Sequence, residues 1–328
     1  MLDITNDDTV TWLKSKLSKL REETGDDVVF YLDTGNTFHT PHYFTFARPM
    51  NNPDLYKEHF ITAAMEVEDF KVIGVSGASS KRPKAPAFVW MSHLNSSWSS
   101  LQSIIPNMLH LGNTNHKAIC MGQLIFEFLH CTGVIGYPLI NPGPIGGVTN
   151  DSSVPDKELF IRWWQLATFL PQLHFLSPPA LYAAQERTAP PLNKNEGITP
   201  IARSLKSIKD KIVNPLLIKF AGEAMEKSLP LIRPLWMFNP EDENCQVIND
   251  QFMIGDTLLV APVLHQGVRR RSVYLPGPSN GSDIVWKRGT DGPYHRGGQW
   301  VRNIEVALDE VLYFEKKADG ARPDGLTL

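Results

Sequence analysis

Short apolar runs alternate with segments of helical periodicity over the first two-thirds of the chain, and this alternation restricts the fold more than any other feature. The run 27–33 is apolar throughout its middle, which is typical of a strand in a parallel sheet whose two faces are both covered. Apolar residues within 9–23 recur at helical spacing, and Asn6 or Asp7 is available as the N-cap. The pattern predicts an α/β domain built on a parallel sheet or barrel.

The same reasoning predicts the remaining elements of this part. Strands are predicted at 70–75, 87–91 and 134–140, and helices at 55–66, 98–111, 157–166 and 201–220. Residues 113–132 show no clear period, and we interpret them as an insertion.

The pattern changes near Leu229, where short β-type runs separated by turn residues replace the helical spacing. The first of these runs, 232–237, is predicted to be a strand. We therefore expect an α/β domain over 1–228, an antiparallel β-sandwich over 229–316 and a flexible polar tail over 317–328.

Charge and composition exclude several partners. Lys and Arg total 32 against 35 Asp and Glu, a formal net charge of −3, and the cluster Arg269-Arg270-Arg271 is too short to bind a polyanion. Nucleic-acid binding is therefore not expected. The most apolar window, 122–140, is interrupted by Glu127 and His130, so no membrane contact is predicted either.

No cofactor or metal is predicted. The segment Gly143-Pro-Ile-Gly-Gly-Val lacks the lysine and the glycine spacing of a nucleotide-binding loop. Histidine and cysteine residues between 110 and 131 match no standard zinc spacing. They are His110, His116, Cys120, His130 and Cys131.

Asp33 is the first candidate for chemistry, because it closes a buried apolar strand at the end where α/β folds place their active sites. A carboxylate in this position has two structural alternatives, as a helix N-cap or as one partner of a buried ion pair. The residue pattern alone leaves these alternatives open.

Three ordered segments between Leu229 and Pro276 carry a recognisable pattern. They read Pro-Leu-Ile-Arg-Pro-Leu-Trp from position 230, Asp-Gln-Phe-Met-Ile-Gly-Asp-Thr-Leu-Leu-Val-Ala-Pro-Val-Leu from 250, and Arg-Ser-Val-Tyr-Leu-Pro from 271. Together with segments 136–147 and 158–171, they resemble glycoside hydrolase family 31. The motif Leu32-Asp33-Thr34-Gly35, followed downstream by Tyr43-Phe44, indicates one subgroup of that family.

The resemblance implies a partial TIM-like (β/α)8 barrel, from about the fourth strand onward, followed by the β-sandwich. It also implies a retaining α-glycosidase that acts on a carbohydrate substrate and uses two carboxyl groups. Asp33 matches the nucleophile. Together with three N-x-S/T sequons, at Asn95, Asn150 and Asn280, the resemblance favours a lumenal or extracellular setting.

Several positions depart from the family pattern. His93 occupies the position of the acid/base aspartate, five residues before Trp98, which belongs to the same motif. Trp90 stands where the family has an arginine that holds sugar hydroxyls, and it could instead stack on a sugar face. Gly143 replaces an aspartate, and His174 lies at a substrate-binding position of the eighth strand.

Two functions follow from these departures. The first is an α-glycosidase that works by double displacement at Asp33, with His93 as the acid. The second is a catalytically degenerate sugar-binding or interaction protein on the same fold. In either case we expect Asp33 and His93 to face one another at the mouth formed by the strand ends.

Overall fold

The computed structural model describes most of the chain. The described residues are 2–25, 29–32, 43–52, 55–67, 73–76, 87–90, 94–109, 139–150, 153–191, 193–227, 229–277 and 284–317. Asp33, His93, the interpreted insertion 113–132 and residues 318–328 lie outside them.

The first part alternates strands and helices as predicted. Its elements are α1 (Asp7–Thr24), β1 (Phe30–Leu32), α2 (Leu55–Met65), β2 (Ile73–Ser76), β3 (Ala87–Trp90), α3 (Trp98–Leu109), β4 (Leu139–Asn141), α4 (Lys157–Ala167), α5 (Pro179–Thr188), α6 (Ile198–Ile208) and α7 (Asn214–Lys227). Asn6 caps α1, because its side chain accepts hydrogen bonds from the backbone N–H groups of Asp8 and Thr9.

The four strands β1 to β4 form one parallel sheet in chain order. The register aligns Ser76 with Trp90 and Trp90 with Asn141, which are the last residues of β2, β3 and β4. The carboxyl ends of all four strands therefore meet at one edge of the sheet. The observed architecture is a parallel sheet with helices, followed by separate antiparallel sheets. Closure of the parallel sheet into a partial barrel stays a prediction.

The second part is antiparallel. Its elements are β5 (Ile232–Arg233), α8 (Leu235–Phe238), α9 (Glu243–Val247), β6 (Phe252–Ile254), β7 (Leu258–Ala261), β8 (Arg270–Leu275), β9 (Val285–Arg288), β10 (Tyr294–Arg296), β11 (Gln299–Glu305) and β12 (Leu312–Lys317). Six strands form one sheet in the order β10-β9-β12-β7-β6-β5, and β8 pairs with β11 in a second. Side chains of both sheets, including Val273 and Phe314, share one buried cluster.

The strand predicted at 232–237 was wrong beyond Arg233, because Pro234 is the N-cap residue of the short helix α8. The helix predicted at 201–220 is confirmed but lies within a longer helical array, in which the π-helical turn Lys209–Val213 separates α6 from α7. Strand β12 extends through Lys317, the residue at which the tail was predicted to begin.

The π-helical turn brings a lysine into the protein interior. Lys209 is 8% exposed, and its ammonium group donates a hydrogen bond to the carbonyl oxygen of Leu170. Burial lowers the pKa of Lys209 to about 8, and Asp210 opposes this shift only in part.

We expect this lysine to give the protein a pH-dependent stability. Between pH 8 and the ordinary lysine pKa near 10.5, the unfolded chain binds a proton that the folded chain does not, so the free energy of unfolding rises with pH. Burial raises the pKa of the Cys245 thiol to about 12, which lowers stability over the same pH range in the parent and in every variant compared here. We therefore expect the change in the free energy of unfolding between pH 7.5 and pH 10, measured in urea, to be about 2 kcal/mol more favourable in the parent than in Lys209→Met. The control is Lys206→Met, because Lys206 is exposed and pairs with Asp210 at the surface; this variant should show the same pH dependence as the parent. The expectation is contradicted if the free energy of unfolding changes with pH equally in all three proteins.

The two parts are joined through helix α4. Arg162 and Gln165 on this helix are fully or almost fully buried, and both donate hydrogen bonds to backbone carbonyl groups of the second part. The helix therefore connects the loops of the antiparallel sheets to the segment that follows β4.

None of the helices in the described ranges is long and apolar enough to cross a bilayer.

Candidate active site

An aromatic cluster occupies the carboxyl-terminal edge of the parallel sheet. The ring of Trp90 on β3 lies 4.5 Å from that of Tyr31 on β1 and 4.5 Å from that of His174, between ring centroids. The His174 contact is edge-on, at an interplanar angle of 86°. Alternation along the strands explains the grouping, because Tyr31 and Trp90 end up on the same face of the sheet.

The indole N–H of Trp90 is a candidate for contact with a ligand. Its Nε1 atom is buried and has no hydrogen-bond partner among the described residues. A buried indole N–H normally finds an acceptor, so this donor is available to a ligand that reaches the edge of the sheet. Because two rings already contact the indole, its N–H is a stronger candidate for substrate contact than its faces.

Asn141 organises the loop that leaves β4. The side chain is 2% exposed; its Nδ2 donates to Oε1 of Gln172 at 2.9 Å, and its Oδ1 accepts from the N–H of Gly143 at 2.9 Å. Gly143 has φ 93°, a backbone conformation that favours glycine. The loop then returns to the aromatic cluster, since the N–H of Ile145 donates to the carbonyl of His174 at 2.8 Å.

Gly147 fixes this loop against the segment that follows β3. It has φ 74°, and a Cβ atom built there would lie 2.7 Å from backbone atoms of Asn95 and Ser96. We expect Gly147→Ala to lower the free energy of unfolding by about 1–3 kcal/mol, because both the conformation and the contact are unfavourable for a side chain. Gly222→Ala is the matched control: Gly222 lies within helix α7 with open space around it, so alanine should stabilise by about 0.5–1 kcal/mol. Chemical denaturation measures the free energy of unfolding of both variants. A change of the same sign in the two variants, relative to the parent, would contradict this explanation.

The structure brings two of the predicted site residues, Trp90 and His174, into contact, and it places Gly143 in the loop that follows β4, where its N–H donates to the side chain of Asn141. Trp98 does not join them: it is the first residue of α3 and packs against the main hydrophobic cluster. Asp33 directly follows Leu32 and His93 follows Trp90 by three residues, but both lie outside the described residues, and their facing arrangement stays a prediction.

Sequence reasoning missed Tyr31, Asn141 and Gln172. Asn141 carried a usable signal, since it is a polar residue that closes an apolar run, as Asp33 is. Tyr31 lies inside such a run and Gln172 lies in an irregular segment, so neither is distinguishable from an ordinary structural residue by pattern alone.

Comparison with known proteins first defines the class. Residues 228–317 match the glycosyl hydrolase family 31 C-terminal domain. The cycloalternan-forming enzyme from Listeria monocytogenes, solved in complex with a pentasaccharide substrate, superposes with a TM-score of 0.73 at 21% identity, over 96% of this chain and 28% of that one. This likeness concerns the fold.

Two curated relatives make the relationship more specific. Myogenesis-regulating glycosidase of Mus musculus is 29% identical over 325 residues, which cover 96% of this chain and 39% of that protein. SITS-binding protein of Tetronarce californica is 34% identical over 248 residues, which cover 75% of this chain and 30% of that protein. The chain therefore carries the C-terminal domain of glycoside hydrolase family 31 and is a relative of that family along nearly its whole length. The resemblance drawn from its motifs, including the subgroup of myogenesis-regulating glycosidase, is confirmed. The chain spans well under half the length of these relatives.

Proposed function

We propose that the protein is a glycoside hydrolase of the retaining type that acts on α-glycosides, with Asp33 as the nucleophile. The observation that carries the proposal is the register of the parallel sheet, which aligns the ends of β2, β3 and β4 at one edge. Asp33 and His93 both follow strands of this sheet in the chain, after Leu32 and Trp90 respectively. The kinship with family 31 supports the same assignment. On this proposal the sheet forms the later part of a (β/α)8 barrel.

The reaction takes place in two displacements. In the first, a carboxylate oxygen of Asp33 attacks the anomeric carbon while the bond to the leaving oxygen breaks, and His93 gives its proton to that oxygen. In the second, His93 takes a proton from water, and the water oxygen displaces the Asp33 carboxylate from the anomeric carbon. The configuration at that carbon is therefore retained.

Histidine is an unusual residue for the acid/base role that His93 has in this reaction. An imidazolium with an ordinary pKa near 6.5 can act as a general acid at neutral pH. It also carries a positive charge beside an oxocarbenium-like transition state, whose charge has the same sign. We therefore expect natural glycosides, which need protonation of a poor leaving group, to react slowly.

The aromatic cluster defines one wall for the sugar. The Trp90 ring contacts those of Tyr31 and His174, and its buried N–H has no acceptor among the described residues, which supports it as the donor to a sugar. An indole N–H can donate a hydrogen bond to a sugar hydroxyl oxygen.

A second function is a sugar-binding protein that has lost catalysis. The specific observation in its favour is His93 in place of a carboxylic acid, and one relative is itself named as a binding protein. The two functions predict different behaviour of Asp33.

Aryl α-glycosides distinguish the two, because a good leaving group needs little acid assistance. The hydrolase should release the phenol in a burst and accept a mechanism-based label on Asp33, as shown by mass spectrometry of the labelled peptide. A protein that binds the aryl glycoside without phenol release or labelling would be a degenerate relative.

A further inference from the structure

The helical array that runs from α6 into α7 carries a stripe of buried residues at intervals of four. The residues of this stripe are Ile201, Leu205, Lys209, Val213 and Leu217, and all of them except Lys209 are apolar. A regular α-helix turns about 40° too far for every step of four residues, so such a stripe would drift away from the core. The π-helical turn Lys209–Val213 accommodates an extra residue and keeps the stripe on the core. The fold therefore favours an apolar residue at position 209, where the sequence has a lysine.

The burial of Lys209 lowers stability and is compensated by a specific hydrogen bond. An ammonium group that leaves water loses its hydration, and the charge of the exposed Asp210 offsets this cost only in part. The ammonium group donates to the carbonyl oxygen of Leu170, a fully buried residue. A methionine would fill a similar space on the stripe without burying a charge. The hydrogen bond to Leu170 is thus what the lysine supplies and an apolar residue would not.

The segment 170–174 connects Lys209 with the candidate active site. This segment forms no helix or strand of its own, and it delivers Gln172 and His174 to the strand-end edge. We propose that Lys209 is a positioning residue, whose bond to Leu170 fixes the base of the segment and thereby places His174 against the indole of Trp90. The consequence for a reaction rests on the proposed function, whereas the placement of His174 does not.

The contacts along the segment come from two different parts of the fold. Lys209 ties its first residue to the helical array, whereas Gln172 and His174 are tied to β4 and the loop that follows it. The Nδ2 of Asn141 donates to Oε1 of Gln172 at 2.9 Å, and a backbone N–H of the loop donates to the carbonyl of His174 at 2.8 Å. Only three residues separate Leu170 from His174, so a shift at Leu170 reaches the ring that contacts Trp90.

The positive charge makes the link to Leu170 stronger. Burial lowers the pKa of Lys209 to about 8, so the amine keeps its proton in most molecules at neutral pH. A hydrogen bond from a cation to a carbonyl oxygen is stronger than one from a neutral donor. A carbonyl group in the interior also requires a partner, which an apolar side chain at position 209 would not provide.

The indole N–H resonance of Trp90 in a two-dimensional ¹H–¹⁵N spectrum tests the proposal on the whole chain without a ligand. Trp90→Phe assigns this resonance among those of the eight tryptophans. We expect Lys209→Met to shift it, because the neighbouring His174 ring moves. The amide of Ile145, which donates to the His174 carbonyl, should exchange about tenfold faster in the same variant.

Two control variants separate positioning from a general effect on the helical array. Lys206→Met removes an exposed lysine three residues earlier and should leave the Trp90 resonance unchanged. Val213→Ala opens a cavity on the same stripe and should lower the free energy of unfolding without shifting the resonance.

Three results would overturn the proposal. The first is a parental Trp90 resonance and parental Ile145 exchange in Lys209→Met. The second is an equal shift of the resonance in Val213→Ala, and the third is a Lys209→Met protein without the circular dichroism of a folded chain. In the second and third cases the lysine would serve the fold as a whole.

Phenol release from an aryl α-glycoside separates this outcome from that of the proposed function. In an active hydrolase, Lys209→Met should lower kcat/KM about tenfold, since a displaced contact at the strand-end edge misplaces the sugar. An unchanged kcat/KM would overturn the role of Lys209 in the reaction. A shifted Trp90 resonance in a protein that releases no phenol would support the positioning and refute the hydrolase.

Discussion

Replacing His93 by aspartate is expected to raise the hydrolysis of natural α-glycosides by about 10²–10⁴-fold, the range that a well-placed general acid contributes. A carboxylic acid donates its proton without placing a positive charge beside the oxocarbenium-like transition state, and the carboxylate that remains stabilises that charge. The gain should be large for alkyl glycosides and small for aryl glycosides with good leaving groups. Initial rates on a series of leaving groups measure it.

Two further variants show whether the gain comes from the proposed site. Asp33→Asn should abolish hydrolysis both in the parent and in the His93→Asp protein, because no glycosyl-enzyme can form. His59→Asp makes the same chemical change at an exposed position of helix α2 and should have no effect. If His93→Asp is no more active than the parent, the missing acid does not limit the reaction, and the departures at Trp90 and Gly143 become the next candidates.

The sequence was sufficient to predict the helices and strands that depend on the periodicity and capping of neighbouring residues. The first helix, its Asn6 cap and the order of strands and helices are confirmed, since each depends on residues close in the chain. Helices α5 and α9 and strands β6 and β10 were missed. Helix α9 and the two strands are too short to show a usable period, and α5 has a single buried residue, Tyr182. The helix at Leu235–Phe238 was mistaken for a strand because an apolar run of this length does not distinguish the two states.

In the candidate site, too, the sequence indicated some of the residues, whereas their contacts are evident only from the structure. Trp90, Gly143 and His174 were selected by resemblance to the family motifs, and their roles in the site stay predictions. The contacts around them arise from sheet register and from loops that are distant in the chain, such as those of Ile145 and His174. The N–H of Trp90, which has no acceptor in the described part of the chain, and the role of Asn141 both follow from packing that no single-sequence pattern contains.

Arg162 is the clearest case of a residue whose role depends on distant contacts. Its side chain is completely buried in helix α4, within a motif that sequence analysis recognised only by resemblance. The guanidinium donates to the carbonyl groups of Val268, Ala307 and Glu310 at 3.2–3.3 Å, in loops more than 100 residues further along the chain. It also donates to Oε1 of Gln165 at 3.0 Å, and Gln165 in turn donates to the carbonyl of Leu308 at 2.6 Å.

These contacts suit an arginine and no other residue type. A planar fork with several N–H groups reaches acceptors in two separate loops, whereas lysine offers one point charge. Burial lowers the pKa of Arg162 to about 10, with Arg269 adding to this effect, so the group remains charged at neutral pH. Carbonyl dipoles, together with the charges of Glu158, Glu196 and Asp309, supply the stabilisation that this buried cation needs.

We expect Arg162→Leu to lower the free energy of unfolding by about 3–5 kcal/mol, the largest effect on stability among these substitutions. The leucine removes the donor and leaves three partly or fully buried carbonyl groups without it, each at a cost of about 1–3 kcal/mol, while the removal of a buried charge offsets part of the loss. Arg203→Leu, on the exposed side of helix α6, makes the same change without these contacts and should shift stability by no more than about 0.5 kcal/mol.

The position of the contacts predicts how the variant should unfold. Helix α4 follows the loop that contains Gly147, and its Phe160 side chain lies against Gly146, so a loosened α4 should disturb the strand-end edge. Hydrogen exchange of Arg162→Leu should accelerate at the amides of Ile145 and Val148, while the centre of the antiparallel sheets, around Val260, exchanges as before. Uniform acceleration over both parts would show that Arg162 stabilises the fold as a whole. The arginine then would not be the specific link through which the second part holds the candidate site in place.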